Sequence, residues 1–309
     1  MVTDSLSNAV SKRFRVADLD LAVQVRNPTG KPCLLFAHGF GQTGGAWNGA
    51  ASALAAAGCR CVTYDARGHG ESDRVARGAD SAGADSAGGY QMDQFADDML
   101  RLAAAQPQPP ILVGASMGGL LGMVIAGEVR PVPFRALVLV DITPRWETAG
   151  VERILGFMQA HPDGFADYTE AAERIAAYQP QRRERKSEQQ LRPLLRKGSD
   201  GRLRWHWDPA LLAGGMVDES ERYQPRLLAA AAKIGIPVLL LSGARSDVVS
   251  RTTVDEFLRL VPQAQHIELP QATHMLAGDA NDAFTREVIH YVQGLDSPAM
   301  PRHAGVVQP

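Results

Sequence analysis

The sequence predicts an α/β protein built on a mostly parallel, doubly wound sheet with an inserted helical cap. Three observations carry this reading. Short apolar runs of strand length recur along the chain, helical sequence separates them, and one long central stretch loses the rhythm. Buried runs alternating with helices are what a parallel sheet covered on both faces requires.

Phe14 to Val25 alternates well enough for one or two strands at a sheet edge. Cys33 to Ala37 is an apolar run ending in His38-Gly39, and Ala50 to Ala57 is an alanine-rich helix closed by Gly58. Cys61 to Tyr64, Ile111 to Val113, Ala136 to Val140, Val238 to Leu241 and His266 to Leu269 supply the remaining strands. From Arg145 to about Ala232 the strands stop. Val151, Ile154, Leu155 and Met158 fall on one helical face, as do Ala172, Ile175 and Ala176. The expected organisation is a core over 1–144, a helical cap over 145–232, the second part of the core over 233–296 and a flexible tail over 297–309. Gly78 to Ala82 is repeated directly as Gly83 to Ala87, with too little apolar bulk to offset its ordering entropy, and reads as a surface loop.

The chain has 309 residues, 45% of them apolar, enough for a sizeable core. Its 32 basic and 34 acidic residues leave a formal charge of -2, so no global field favours nucleic acid or an anionic membrane. The run Arg182 to Lys186 reads as a solvated helix face. Cys33, Cys59 and Cys61 match neither a metal site nor a disulfide framework and read as core or strand residues. Met1 to Val16 is polar, and no segment reaches the roughly 18 apolar residues that span a bilayer. The expected location is the cytoplasm.

Gly114-Ala115-Ser116-Met117-Gly118 follows a strand and precedes the helical run Leu120 to Glu128. A strand-to-helix turn this sharp strains the backbone and presents Ser116 at the helix N-terminus as a nucleophile, with glycines where side chains would clash. His38-Gly39-Phe40-Gly41 ends an earlier strand, so Phe40 N–H and Met117 N–H are the expected oxyanion hole. His38 itself reads as a loop anchor, and His69 sits in a turn where Asp65 and Arg67 read as a structural pair.

A serine hydroxyl needs a base, and a base histidine needs an orienting acid. His274 lies just after the last strand. Two aspartates stand at strand ends: Asp247, taken as the acid, and Asp141, the alternative, otherwise an anchor for the turn into the cap. Either gives the chain order Ser, Asp, His.

With these motifs in place, the chain resembles the α/β-hydrolase superfamily, and its Ser-Met-Gly-Gly elbow with His-Gly-Phe is similar to the cofactor-free haloperoxidase and esterase branch. The resemblance rests on His38 to Phe40, Asp65 to Ser72, Gly114 to Gly119, Asp247 and His274, and anchors residues 30–143 and 232–292. It implies ester hydrolysis with no metal and no organic cofactor. The expected partner is a small-molecule ester or lactone, with carbon-carbon bond hydrolysis of ring-cleavage products and slow ligand perception as alternatives. An aspartate elbow, as in epoxide hydrolases and dehalogenases, is absent. In the cap, Trp146, Met158, Trp205 and Trp207 are the candidate substrate pocket, with the cap's own packing as the competing role.

Overall fold

The computed structural model describes residues 9–17, 19–76, 90–178, 185–212, 220–274 and 281–295. The repeat at 78–89, the tail and part of the Arg182 to Lys186 run lie outside them.

An eight-stranded sheet has the order β1-β2-β4-β3-β5-β6-β9-β10. β1 (Val10–Val16) and β2 (Leu19–Arg26) form an antiparallel edge, and β2 also meets β4 (Arg60–Tyr64) antiparallel. β3 (Cys33–Ala37), β5 (Ile111–Ala115), β6 (Ala136–Val140), β9 (Val238–Gly243) and β10 (Gln265–Leu269) continue it in parallel. Central strands are apolar at every position because both faces are covered: in β5, Leu112 faces one core while Ile111 and Val113 face the other.

Helices α1 (Asn48–Ala56) and α9 (Asn281–Gly294) cover one face. The other carries α2 (Met92–Ala104), α3 (Met117–Glu128), α7 (Ser220–Ala231) and α8 (Arg251–Leu260). Cys33, Cys59 and Cys61 are free and buried in these cores, and burial pushes their thiols up.

Between β6 and β9 run α4 (Thr148–Gln159), α5 (Tyr168–Tyr178) and the short α6 (Glu188–Leu191), together with an antiparallel pair, β7 (Leu195–Lys197) and β8 (Leu203–Trp205). The sequence pattern predicts helices here but not this hairpin, whose strands are three residues each and too short for an alternation signal. Phe165, Ile175, Leu191, Leu195 and Leu203 form a small core of the insert's own.

The insert is joined to the sheet by buried polar contacts. His206 Nδ1 accepts Gly70 N–H at 2.9 Å, and its Nε2 donates to the Gly41 carbonyl at 3.1 Å. Gly41 N–H donates to His69 Nε2 at 3.1 Å, and His69 Nδ1 donates to the Arg67 carbonyl at 3.0 Å. His38 Nε2 accepts Ala66 N–H at 2.9 Å while its Nδ1 donates to the Gly39 carbonyl. Each ring therefore accepts at one nitrogen and donates at the other, which fixes a neutral tautomer. Burial lowers the basicity of all three, taking His206 down to about 3. Next to them, Asp208 N–H donates to the Gly68 carbonyl at 2.7 Å and its carboxylate accepts the Tyr90 hydroxyl at 2.8 Å.

The expected Asp65–Arg67 pair does not form. Asp65 instead accepts the Gly44 and Glu71 N–H groups, while Arg67 makes a bidentate contact of 2.7 Å in each arm to Asp98 on α2. Both side chains are buried, so each is the other's counterion.

Two expectations follow. Asp98→Ala removes the bidentate carboxylate from the buried Arg67 guanidinium and is expected to cost about 3–5 kcal/mol in urea unfolding; a loss under about 1 kcal/mol shows that other groups take over the acid's hydrogen bonds. For His206, the folded value of about 3 lies below the ordinary 6.5, so unfolding takes up a proton as pH falls between them. Its contribution to stability is complete above the ordinary value and is lost toward pH 3, at a slope of at most roughly 1.4 kcal/mol per pH unit. Thermal melting should therefore fall on acidification, and His206→Gln should flatten that dependence even though it lowers stability at neutral pH.

Candidate active site

Ser116 occupies the turn between β5 and α3 with φ 45° and ψ −117°, a strained backbone for a residue with a side chain. The close approach around it explains the flanking glycines. A Cβ on Gly114 would lie 2.6 Å from the Gly118 carbonyl oxygen, and one on Gly118 would lie 2.4 Å from that of Ala37. Ser116 N–H reaches the Val140 carbonyl at 3.3 Å, which seats the elbow beside the end of β6.

The residue just past β6 is Asp141. Fully buried, it has a left-handed φ of 50°. Its Oδ2 receives His274 Nδ1 at 2.8 Å and the Ser246 hydroxyl at 2.5 Å, and its Oδ1 receives Gly243 N–H at 2.8 Å. A carboxylate with three donors holds its charge without water.

The sequence pairs His274 with Asp247; in the structure its carboxylate partner is Asp141. Asp247 does not meet His274; its carboxylate lies on Arg153 of α4, both groups part-exposed. The turn closed by Ser246 N–H on the Gly243 carbonyl swings the chain away before residue 247. The loop around Asp247 instead supports the insert: Glu147 N–H donates to the Val248 carbonyl at 2.9 Å, and Gly150 packs so closely on Asp247 that a Cβ would lie 2.0 Å from its carbonyl oxygen.

The loop after β3 is a turn in which Gly39 N–H donates to Gln42 Oε1 and Gln42 N–H to the Gly39 carbonyl, each at 3.1 Å. A Cβ on Gly39 would come within 3.3 Å of Ser116 Cβ, so this loop borders the serine. Neither Phe40 N–H nor Met117 N–H has an acceptor among the described residues. Met117 is the first residue of α3, where orphan N–H groups and the helix dipole both favour negative charge.

Of the candidate pocket residues, Met158 and Trp207 meet this loop. A Cβ on Gly41 would lie 2.5 Å from Met158 Cε and 3.6 Å from Trp207 Nε1, and Phe40 and Trp207 rings are 6.4 Å apart. Trp205 stacks on Trp207 and meets Phe165 edge-on, while Trp146 is buried in the main core. Ser246 and His206 were not singled out for these positions from the sequence. Their partners lie 105, 136 and 165 residues away, beyond any local pattern.

Comparison with known proteins agrees with this architecture. The model of the alpha/beta hydrolase fold matches residues 32–280. A 3-hydroxybutyrate-oligomer hydrolase of Cupriavidus necator is 30% identical over 260 residues, 80% of this chain and 84% of its own. A 2-(acetamidomethylene)succinate hydrolase of Mesorhizobium japonicum is 26% identical over 269 residues, 86% and 88% of the two chains. Among solved structures, the thioesterase domain from the curacin biosynthetic pathway superposes with a TM-score of 0.71 at 26% identity, covering 91% of this chain and 99% of that one. From its sheet order, its serine turn and these matches, the chain belongs to the α/β-hydrolase fold family, whose relatives here are hydrolases.

Proposed function

We propose that the protein is a serine hydrolase of carboxylic esters, acting through an acyl-enzyme on Ser116. The observation that carries this reading is the contact of His274 Nδ1 with a fully buried Asp141, one peptide from the carbonyl that anchors Ser116. An imidazole whose Nδ1–H is held by a carboxylate keeps Nε2 unprotonated and available as base. In the proposed sequence, His274 takes the Ser116 proton as the hydroxyl attacks the ester carbonyl. Phe40 N–H and Met117 N–H stabilise the oxyanion, His274 returns the proton to the leaving alcohol, and water repeats the steps to release the acid. A lactone opens by the same route.

The substrate is proposed to be small and rather apolar, because Phe40, Met158 and Trp207 meet at the loop that borders the serine. The relative that acts on 3-hydroxybutyrate oligomers supports this class, since such oligomers are joined by ester bonds between short acyl units.

The test is turnover of para-nitrophenyl esters from acetate to dodecanoate, and of a 3-hydroxybutyrate dimer, by wild type and Ser116→Ala. Short-chain turnover should drop at least about 10⁴-fold in the variant. Wild type inert toward every ester refutes the reading and points to carbon-carbon bond hydrolysis or ligand perception. The two aspartates separate in the same assay: Asp141→Asn is expected to lose on the order of 10⁴-fold in kcat, as when a triad carboxylate no longer fixes the tautomer. Asp247→Asn should keep kcat within about tenfold, since only a part-exposed ion pair is removed; the reverse order would return the acid to Asp247.

A further inference from the structure

We infer that Ser246 is a positioning residue for the acid, setting through its hydroxyl how strongly Asp141 holds His274; this rests on the ester-hydrolase reading above. The hydroxyl is fully committed. Its oxygen accepts the N–H groups of Val248 and Val249, each at 3.1 Å, so its single proton is directed at Asp141 Oδ2 at 2.5 Å. That is the same carboxylate oxygen to which His274 donates. The imidazole and the serine therefore draw on the same lone-pair charge, and a donor to a carboxylate lowers its basicity.

The loop that presents Ser246 is tied to both sides of the site. Gly243 N–H binds the other oxygen of Asp141, while Ala244 and Arg245 N–H donate to the Leu269 and Ala272 carbonyls of the segment leading to His274. One turn thus fixes acid and base relative to each other, and Ser246 is its side chain aimed at the shared oxygen.

Among the described residues, the charged groups on the neighbouring elements are already paired or exposed. Asp247 on the same loop is paired with Arg153 of α4, Arg145 after β6 is paired with Glu256 of α8, and Glu147 and Arg245 are exposed. Asp282 at the start of α9 is also exposed, and the buried rings of His38 and His69 are held neutral by their backbone partners. Without the Ser246 proton the Asp141 carboxylate is more basic and stabilises the imidazolium further. Base catalysis then fails at a higher pH.

The experiment is the pH profile of kcat/KM toward a short para-nitrophenyl ester for wild type, Ser246→Ala and Ser246→Thr, with melting temperature followed in parallel. The acid limb of Ser246→Ala is expected to move up by about half a unit to one unit, with the plateau lowered about 3–30-fold. Ser246→Thr, which keeps the hydroxyl, should return both toward wild type. A folded Ser246→Ala whose acid limb coincides with wild type overturns the inference, even if its plateau is lower, because a turn residue alone changes rate and stability but not the limb. Ser116→Ala and Asp141→Asn run in the same series separate the two failures: if they retain turnover, the ester-hydrolase reading itself falls, and with it this one.

Discussion

A carboxylate removed entirely from water survives as an anion only if donors occupy its lone pairs, and the arrangement around Asp141 follows from that requirement. Three elements remote in sequence supply the donors: the end of β9, the turn after it and the segment after β10. Satisfying this one charge fixes how those pieces meet the end of β6. Because Ser116 is tethered to the carbonyl just before Asp141, the same requirement sets where the serine turn sits relative to the imidazole. A parallel sheet makes this economical, since neighbouring strand ends lie only about 4.8 Å apart and their loops rise from one edge.

A second constraint works on the opposite side of the serine. The loop that carries Phe40 has its Gly41 peptide held at both ends by imidazoles, His69 at the N–H and His206 at the carbonyl. One ring belongs to the sheet's loops and the other to the insert. The insert is therefore part of what holds this loop, in addition to whatever its Met158 and Trp207 do above it. Neutral histidines suit this task because each offers one donor and one acceptor in a rigid ring, and burial keeps them neutral.

Much of the fold was legible in the sequence for a physical reason. Strands covered on both faces must be continuously apolar, and Cys33 to Ala37 and Ala136 to Val140 appear in the structure with those bounds. The elbow was legible because glycine on both sides of a serine, after a strand and before a helix, answers a steric demand that the structure displays at Gly114 and Gly118. The hairpin of the insert was not, and neither were the histidine contacts, because nothing local marks a side chain that bonds to backbone more than a hundred residues away.

The two aspartates show where such reading stops. Asp141 and Asp247 both follow apolar strands, both precede His274, and both give the same order along the chain, so order alone does not separate them, and the spacing that favours Asp247 is not what the fold uses. What distinguishes them is a turn. Ser246 N–H closing on the Gly243 carbonyl carries the chain outward, so residue 246 faces the buried carboxylate and residue 247 faces Arg153. The energetic consequences of adjacent positions then diverge sharply. The part-exposed Asp247–Arg153 pair contributes on the order of 1 kcal/mol or less, whereas a donor withdrawn from a buried carboxylate costs about 1–3 kcal/mol or more for the unsatisfied charge. Burial is a property of the folded sheet edge, where β6 and β9 lie side by side, and it is the quantity that separates the carboxylate holding His274 from a surface ion pair.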